Sequence, residues 1–248
     1  MKILALHGFT GSGADFEPLT EALSVEVVAP DLLGHGEAEA PTSVAHYRID
    51  RVAARVAEAH DGEPVVLLGY SMGGRVAQRL YPMLGDALKG LILVSTSPGI
   101  LDPVDRTERI AEDAALAGRI EENGIAWFCA HWADQPIIRS QARIPVDILE
   151  SMGARRVSNR PHGLANSLRG MGAGAVNPVW DALAEITVPT LILSGEDDIR
   201  YTAIGERMAA CIPGAEHTTV ASVGHCVHLE SVRAVADIID RFVAGISE

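Results

Sequence analysis

The sequence predicts an α/β protein built on a mostly parallel, doubly wound sheet, with a helical cap inserted between two of the strands. Three observations carry this expectation. Short, mainly apolar runs, most without polar alternation, occur at residues 3–6, 25–29, 65–68, 91–94, 190–193 and 218–221, each bounded by turn residues. Such runs suit strands covered on both faces, as in a parallel sheet. Segments of helical period lie between them, at 49–60, 72–84 and 232–243, so strand alternates with helix. The third observation is an interruption. From about residue 99 to residue 186 the chain shows helical patterning alone, at 106–122, 125–132, 144–152 and 163–169. Sheet-like patterning then resumes at residue 190. Residues 100–185 therefore read as one insertion into a core made of 1–99 and 186–248, not as a separate second domain.

The chain has 248 residues, 48% of them hydrophobic, which is enough for a substantial core and unlike a disordered or disulfide-scaffold composition. A formal net charge of −13, with no dense Lys/Arg cluster, argues against nucleic acid as a partner. It says little about a substrate, since a pocket can be locally positive inside an acidic protein. Cys129, Cys211 and Cys226 form no C-x-x-C pair, and a low, odd count fits a reducing compartment. The opening apolar run ends at His7 without a cleavage site, and no stretch has transmembrane length, so a cytoplasmic protein without membrane contact is expected. No H-E-x-x-H, P-loop or suitably placed G-x-G-x-x-G is present; no metal, nucleotide or flavin cofactor is expected. Oligomeric state is not legible.

The sharpest chemical signal is Gly69-Tyr70-Ser71-Met72-Gly73. A bare G-x-S-x-G is weak, but here a buried-strand run precedes it and a helical segment follows. That is the strand–turn–helix setting in which a serine is presented on a strained turn as a nucleophile, with small residues at the flanks. A serine hydroxyl needs a base, and the base an orienting acid. In the chain order serine, acid, histidine, the acid comes from Glu196-Asp197-Asp198 and the base from Gly224-His225, both loops following strand runs. Asp198 is preferred because the acid usually stands three residues after the loop glycine, here Gly195; Asp197 stays open. His46, His60, His162 and His217 fall in polar loops or helix ends, His131 in the cap and His228 at the start of the last helix. His35 reads as a structural turn residue, and His7 precedes the serine. The loop His7-Gly8-Phe9-Thr10-Gly11 follows the first strand. The N–H groups of Phe9 and Met72 together would form an oxyanion hole.

Assembled, these residues resemble the α/β-hydrolase superfamily over the whole length, with the usual leading β-hairpin missing. More narrowly, the chain resembles the 2-succinyl-6-hydroxy-2,4-cyclohexadiene-1-carboxylate synthases of menaquinone biosynthesis. HGFTGSG from His7, GYSMGGR from Gly69, STSPGI from Ser95, RTERIAED from Arg106 and SNRPHGLANSLRGMGAG from Ser158 carry the likeness. The resemblance implies an α/β-hydrolase fold and a pyruvate-eliminating lyase. In it Ser71 and His225 abstract a proton next to a carbonyl, Asp198 orients the imidazole, and the oxyanion hole holds enolate-like charge. It further implies a carboxylate-bearing small-molecule substrate bound by Arg75, Arg109 and Arg156, with Tyr70 and Trp132 lining the pocket. Bidentate guanidinium–carboxylate pairing is the physical reason for arginine at such positions. The bland alternative for each arginine is an exposed helix residue. Arg200-Tyr201 stands where the family often has Lys-Phe, which changes donor geometry. Two competing functions use the same residues: a serine hydrolase (carboxylesterase, lactonase or C–C bond hydrolase), and a silent binding protein.

Overall fold

The computed structural model describes residues 1–246. Six strands form one sheet: β1 (Lys2–Leu6), β2 (Val27–Val28), β3 (Val65–Tyr70), β4 (Leu88–Val94), β5 (Thr190–Gly195) and β6 (Glu216–Val220). Their order is β2-β1-β3-β4-β5-β6, and every neighbouring pair is parallel. The nine α-helices assigned among the described residues are α1 (Glu17–Ala22), α2 (Ile49–Ala59), α3 (Met72–Leu80), α4 (Pro103–Ala133), α5 (Val146–Ser158), α6 (Pro161–Met171), α7 (Ile199–Cys211), α8 (Val227–Glu230) and α9 (Val232–Ile246).

Strand side chains alternate between the two faces, and both faces are buried. Leu4, Leu6, Val65, Leu67, Leu91 and Leu93 pack with Val52, Val76, Leu80 and Met208 from α2, α3 and α7. Ile3, Ala5, Val66, Leu68, Ile92 and Val94 pack with Leu19, Val235, Ile239 and Val243 from α1 and α9. Two buried faces explain why the central strands read as apolar runs, each fully buried large side chain contributing about 1.5–3 kcal/mol.

The edges depart from that pattern. β2 shrinks from the expected five residues to Val27–Val28. β6 begins at Glu216, so His217 belongs to a strand and not to the polar loop expected for it. An edge strand has one open side and tolerates polar residues, which blurs its signal. The helix expected over 72–84 ends at Leu80 and tightens into a 3-10 turn at Tyr81–Met83, where Pro82 lacks an N–H to continue the ladder. His228 lies in the short α8 and precedes α9.

The helices α4, α5 and α6 lie between β4 and β5 in the chain. Ala117, Ile120 and Phe128 of α4 pack on Leu164, Ala165 and Leu168 of α6, a small core of their own. Sheet order reverses between β1 and β3, since the chain leaves β1 for β2 on one side and returns to β3 on the other. In open parallel sheets the crevice beyond the strand C-termini at such a point is where ligands bind. His7-Gly8-Phe9 and Ser71 stand at those two ends.

Candidate active site

Ser71 is the one-residue turn between β3 and α3, with φ 51° and ψ −109°, a conformation that L-residues rarely adopt. The turn is tight because its glycines allow close approach. A Cβ on Gly73 would lie 2.0 Å from the Leu6 carbonyl oxygen, and one on Gly69 would lie 2.5 Å from Gly74 Cα. Neighbouring strands hold the strain in place. The Ser71 N–H donates to the Val94 carbonyl at 2.9 Å, and the Thr96 hydroxyl donates to the Ser71 carbonyl at 2.7 Å.

The loops after β5 and β6 bring the other two groups to this turn. His225 Nε2 lies 3.0 Å from Ser71 Oγ, and Nδ1 lies 2.6 Å from Asp198 Oδ2. An ionised carboxylate only accepts, so Nδ1 carries the proton and Nε2 accepts from the serine hydroxyl. The loop chooses among its three acids by geometry. Asp197 turns outward to Arg143 at 2.5 Å, and Glu196 accepts the Ser222 N–H at 2.8 Å, so Asp198 is the acid that reaches His225. The Tyr201 ring lies 4.6 Å from the His225 ring, centroid to centroid, covering one side of it.

A cavity of about 590 Å³ opens over Ser71 and His225. Phe9 and Met72, Tyr70 and Trp132, and Arg75, Arg109 and Arg156 all line it. Their settings differ. Arg75 is buried and donates through Nε and Nη2 to the Met171 carbonyl, at 3.2 and 3.0 Å; burial pulls its pKa below the ordinary arginine value. Arg109 donates through Nε to Asp113 Oδ1 at 2.8 Å, so a carboxylate of its own helix already holds it. Arg156 contacts only neutral oxygens, Thr10 Oγ1 at 3.2 Å and Gln141 Oε1 at 3.3 Å, and has no acidic partner among the described residues. Trp132 stacks edge-on against Phe9, with its indole N–H buried and without a partner among the described residues. Phe9 also packs on His35 and on Phe128, the latter contact anchoring the loop after β1 to α4. His7 stays structural: its Nε2 accepts the Leu32 N–H at 2.9 Å.

Several cavity residues escape a reading of the sequence. Asp113, raised in pKa by burial against the pull of Arg109, was detectable as an i,i+4 partner on one helix face. Gln141 and His228 carry no such signal. Among the described residues no His/Cys/Asp/Glu group is placed to hold a metal ion, and no helix is long and apolar enough to cross a membrane.

A serine elbow at the switch point of a parallel sheet, with a histidine and an acid from the next strand ends, defines the alpha/beta hydrolase family. The chain belongs to that family, whose model matches residues 3–238. It is 37% identical to a Bacillus subtilis (strain 168) protein provisionally named 2-succinyl-6-hydroxy-2,4-cyclohexadiene-1-carboxylate synthase, covering 98% of this chain and 90% of that one. It is 28% identical to the synthase of that name from Pectobacterium atrosepticum, covering 98% and 93%. The structure of MenH from S. aureus superposes with a TM-score of 0.93 at 33% identity, covering 100% of this chain and 95% of that one. A thermophilic esterase from Thermogutta terrifontis superposes at 0.86 and 26% identity, covering 99% and 90%.

Proposed function

We propose that this protein is a pyruvate-eliminating lyase of the 2-succinyl-6-hydroxy-2,4-cyclohexadiene-1-carboxylate synthase type. The observation that carries the reading is Arg156, a cation in the cavity beside Ser71 with no acid to neutralise it. A pocket for apolar esters has no use for such a charge; a carboxylate-bearing substrate supplies its missing partner.

In this mechanism the Ser71–His225 pair takes a proton from the carbon next to the substrate carbonyl. His225 becomes an imidazolium, which Asp198 stabilises across the 2.6 Å hydrogen bond. The electron pair moves onto the carbonyl oxygen as enolate-like charge, held by the N–H groups of Phe9 and Met72 and by the N-terminal end of α3. Collapse of that charge breaks the carbon–oxygen bond to the leaving group, which departs as the enolate of pyruvate and takes the proton back from the His225 imidazolium to give pyruvate. No acyl-enzyme forms. Arg156, Arg75 and Arg109 fix the substrate carboxylates, and Tyr70 and Trp132 shape the walls.

A serine hydrolase is the second reading, favoured by the esterase likeness at a TM-score of 0.86. It uses the same serine, histidine and acid, with water completing the reaction. One assay separates the two: pyruvate release from the pathway intermediate beside cleavage of short p-nitrophenyl esters. Fast pyruvate release with negligible ester cleavage is expected. Arg156→Ala should then raise KM roughly 10- to 100-fold, the worth of one charge-assisted hydrogen bond. Ester cleavage without pyruvate release would move the function to hydrolase.

A further inference from the structure

His225 is held from one further side. Glu230, at the end of α8, has a completely buried side chain. Its Oε2 accepts the Gly224 N–H at 2.7 Å, and its Oε1 accepts the Cys226 N–H at 3.1 Å. These are the main-chain donors immediately before and after His225. The same Oε1 accepts the Ser140 hydroxyl at 2.8 Å. Ser140 belongs to the 3-10 turn Arg139–Arg143, in the segment between β4 and β5. That turn sits directly on the histidine loop, since a Cβ on Gly224 would lie 2.3 Å from Ser140 Oγ. Its last residue, Arg143, donates to the Ser222 carbonyl at 3.0 Å and pairs with Asp197, next to Asp198. Gln141, in the same turn, accepts from Arg156. One buried carboxylate therefore stands at the junction of the histidine loop, the acid loop and the turn that touches the cavity arginine.

We propose that Glu230 is a positioning residue for His225: by holding the main chain on both sides of the imidazole and the Ser140 hydroxyl of the cap, it sets the ring opposite Ser71 and ties its place to the seating of the cap. A carboxylate suits the task because each oxygen accepts strongly from N–H donors and neither competes as a donor. A ring displaced from Ser71 Oγ loses proton transfer, while Arg75 and Arg109, held by the Met171 carbonyl and by Asp113, have no bond to Glu230 or Ser140.

The proposal rests on Ser71, Asp198 and His225 being the reacting group, and not on the identity of the substrate. The test compares wild type, Glu230→Gln, Ser140→Ala and Ser71→Ala. It reads the rate at which a fluorophosphonate modifies Ser71, kcat and KM for pyruvate release, and Tm. Glutamine keeps the shape of Glu230 but sets an NH2 against one of the two N–H donors. Glu230→Gln is expected to slow phosphonylation and lower kcat by the same factor, roughly 10- to 100-fold, with KM within about threefold. A merely structural role would lower Tm without that split. Wild-type phosphonylation rates in folded Glu230→Gln would overturn the proposal, as would a loss confined to KM. If Glu230→Gln does not fold, Ser140→Ala decides: phosphonylation slowed by at least about threefold supports the tie to the cap, and an unchanged rate overturns it. Wild type that is not labelled at Ser71 would overturn the reacting group itself, a result distinct from equal labelling of wild type and Glu230→Gln.

Discussion

At Ser71 the backbone is held at φ 51° and ψ −109° by its own N–H donating to the Val94 carbonyl at the end of β4, and by its carbonyl accepting from the Thr96 hydroxyl just beyond β4 and from the Gly74 and Arg75 N–H groups. Such conformations cost about 1–3 kcal/mol for a residue with a Cβ. The strain has a use, because it lifts the hydroxyl out of the sheet toward His225. Ser71→Ala and Ser71→Gly should both abolish turnover, and they should differ in stability. The glycine variant relaxes the strained turn and is expected to be about 1 kcal/mol more stable than the alanine variant, or roughly 2–4 °C higher in Tm. Equal melting temperatures would mean that the turn stores no strain. The arginines also separate at this scale. Arg109 has the acid Asp113, whereas Arg75, on the Met171 carbonyl, and Arg156, on the Thr10 and Gln141 oxygens, have only neutral partners. Three residues alike in sequence thus hold different amounts of unspent charge.

Among the elements, α4 decides the shape of the cavity. Its 31 residues are broken at Gly124, with φ 78° and ψ −179°, a conformation open essentially to glycine alone. The first half places Arg109 and Asp113 in the cavity and packs Ala117 and Ile120 on α6. After the break, Phe128 and Trp132 turn onto Phe9, whose N–H we propose for the oxyanion hole. A straight helix would carry those rings elsewhere. Gly124→Ala is expected to destabilise the protein by about 1–3 kcal/mol in urea unfolding, despite the higher helix propensity of alanine, and to lower turnover with it. Unchanged stability would show that the break is not required. Separate bonds seat α5 and the residues after it on the core, from Arg155 to Asp15 and from Asn159 to the Thr10 carbonyl.

For the whole molecule, the buried histidines set the dependence of stability on pH. His35 and His228 are fully buried and pushed down to about 3, by burial first and then by a neighbouring histidine, His7 and His225 respectively. Burial lowers His7 as well. Unfolded histidines protonate below about 6.5, whereas folded His35 and His228 stay neutral down to about 3. The unfolded chain therefore binds more protons across that window. The stabilisation is fully present above pH 6.5 and is lost as pH falls from there toward 3, by up to about 1.4 kcal/mol per pH unit for each histidine. Asp113, raised by burial, works in the opposite sense at acid pH and softens the slope. Urea unfolding from pH 7.5 to 4.5 checks this; a flat profile would contradict it. His35→Asn should flatten the curve.

The strand runs at 3–6, 65–68, 91–94 and 190–193, the serine turn and its glycines were legible in the sequence because each depends on neighbours within a few residues. Burial on both faces writes itself as a continuous apolar run, and a strained turn writes itself as glycines around one serine. Edge strands are less legible, since one open side tolerates polar residues: β2 is shorter than its apolar run, and β6 begins two residues before its own. The spacing from Gly195 already favours Asp198, and the fold closes that choice against Asp197; other choices belong to the tertiary structure alone, namely Arg156 over Arg109 as a cation without an acid, and Glu230 as the acceptor on both sides of His225. Each is settled by a partner brought near by folding: Arg143 for Asp197, Thr10 and Gln141 for Arg156, Ser140 for Glu230. Local patterning dictates what a segment becomes, while the charge and reach of a side chain depend on what the rest of the fold sets against it.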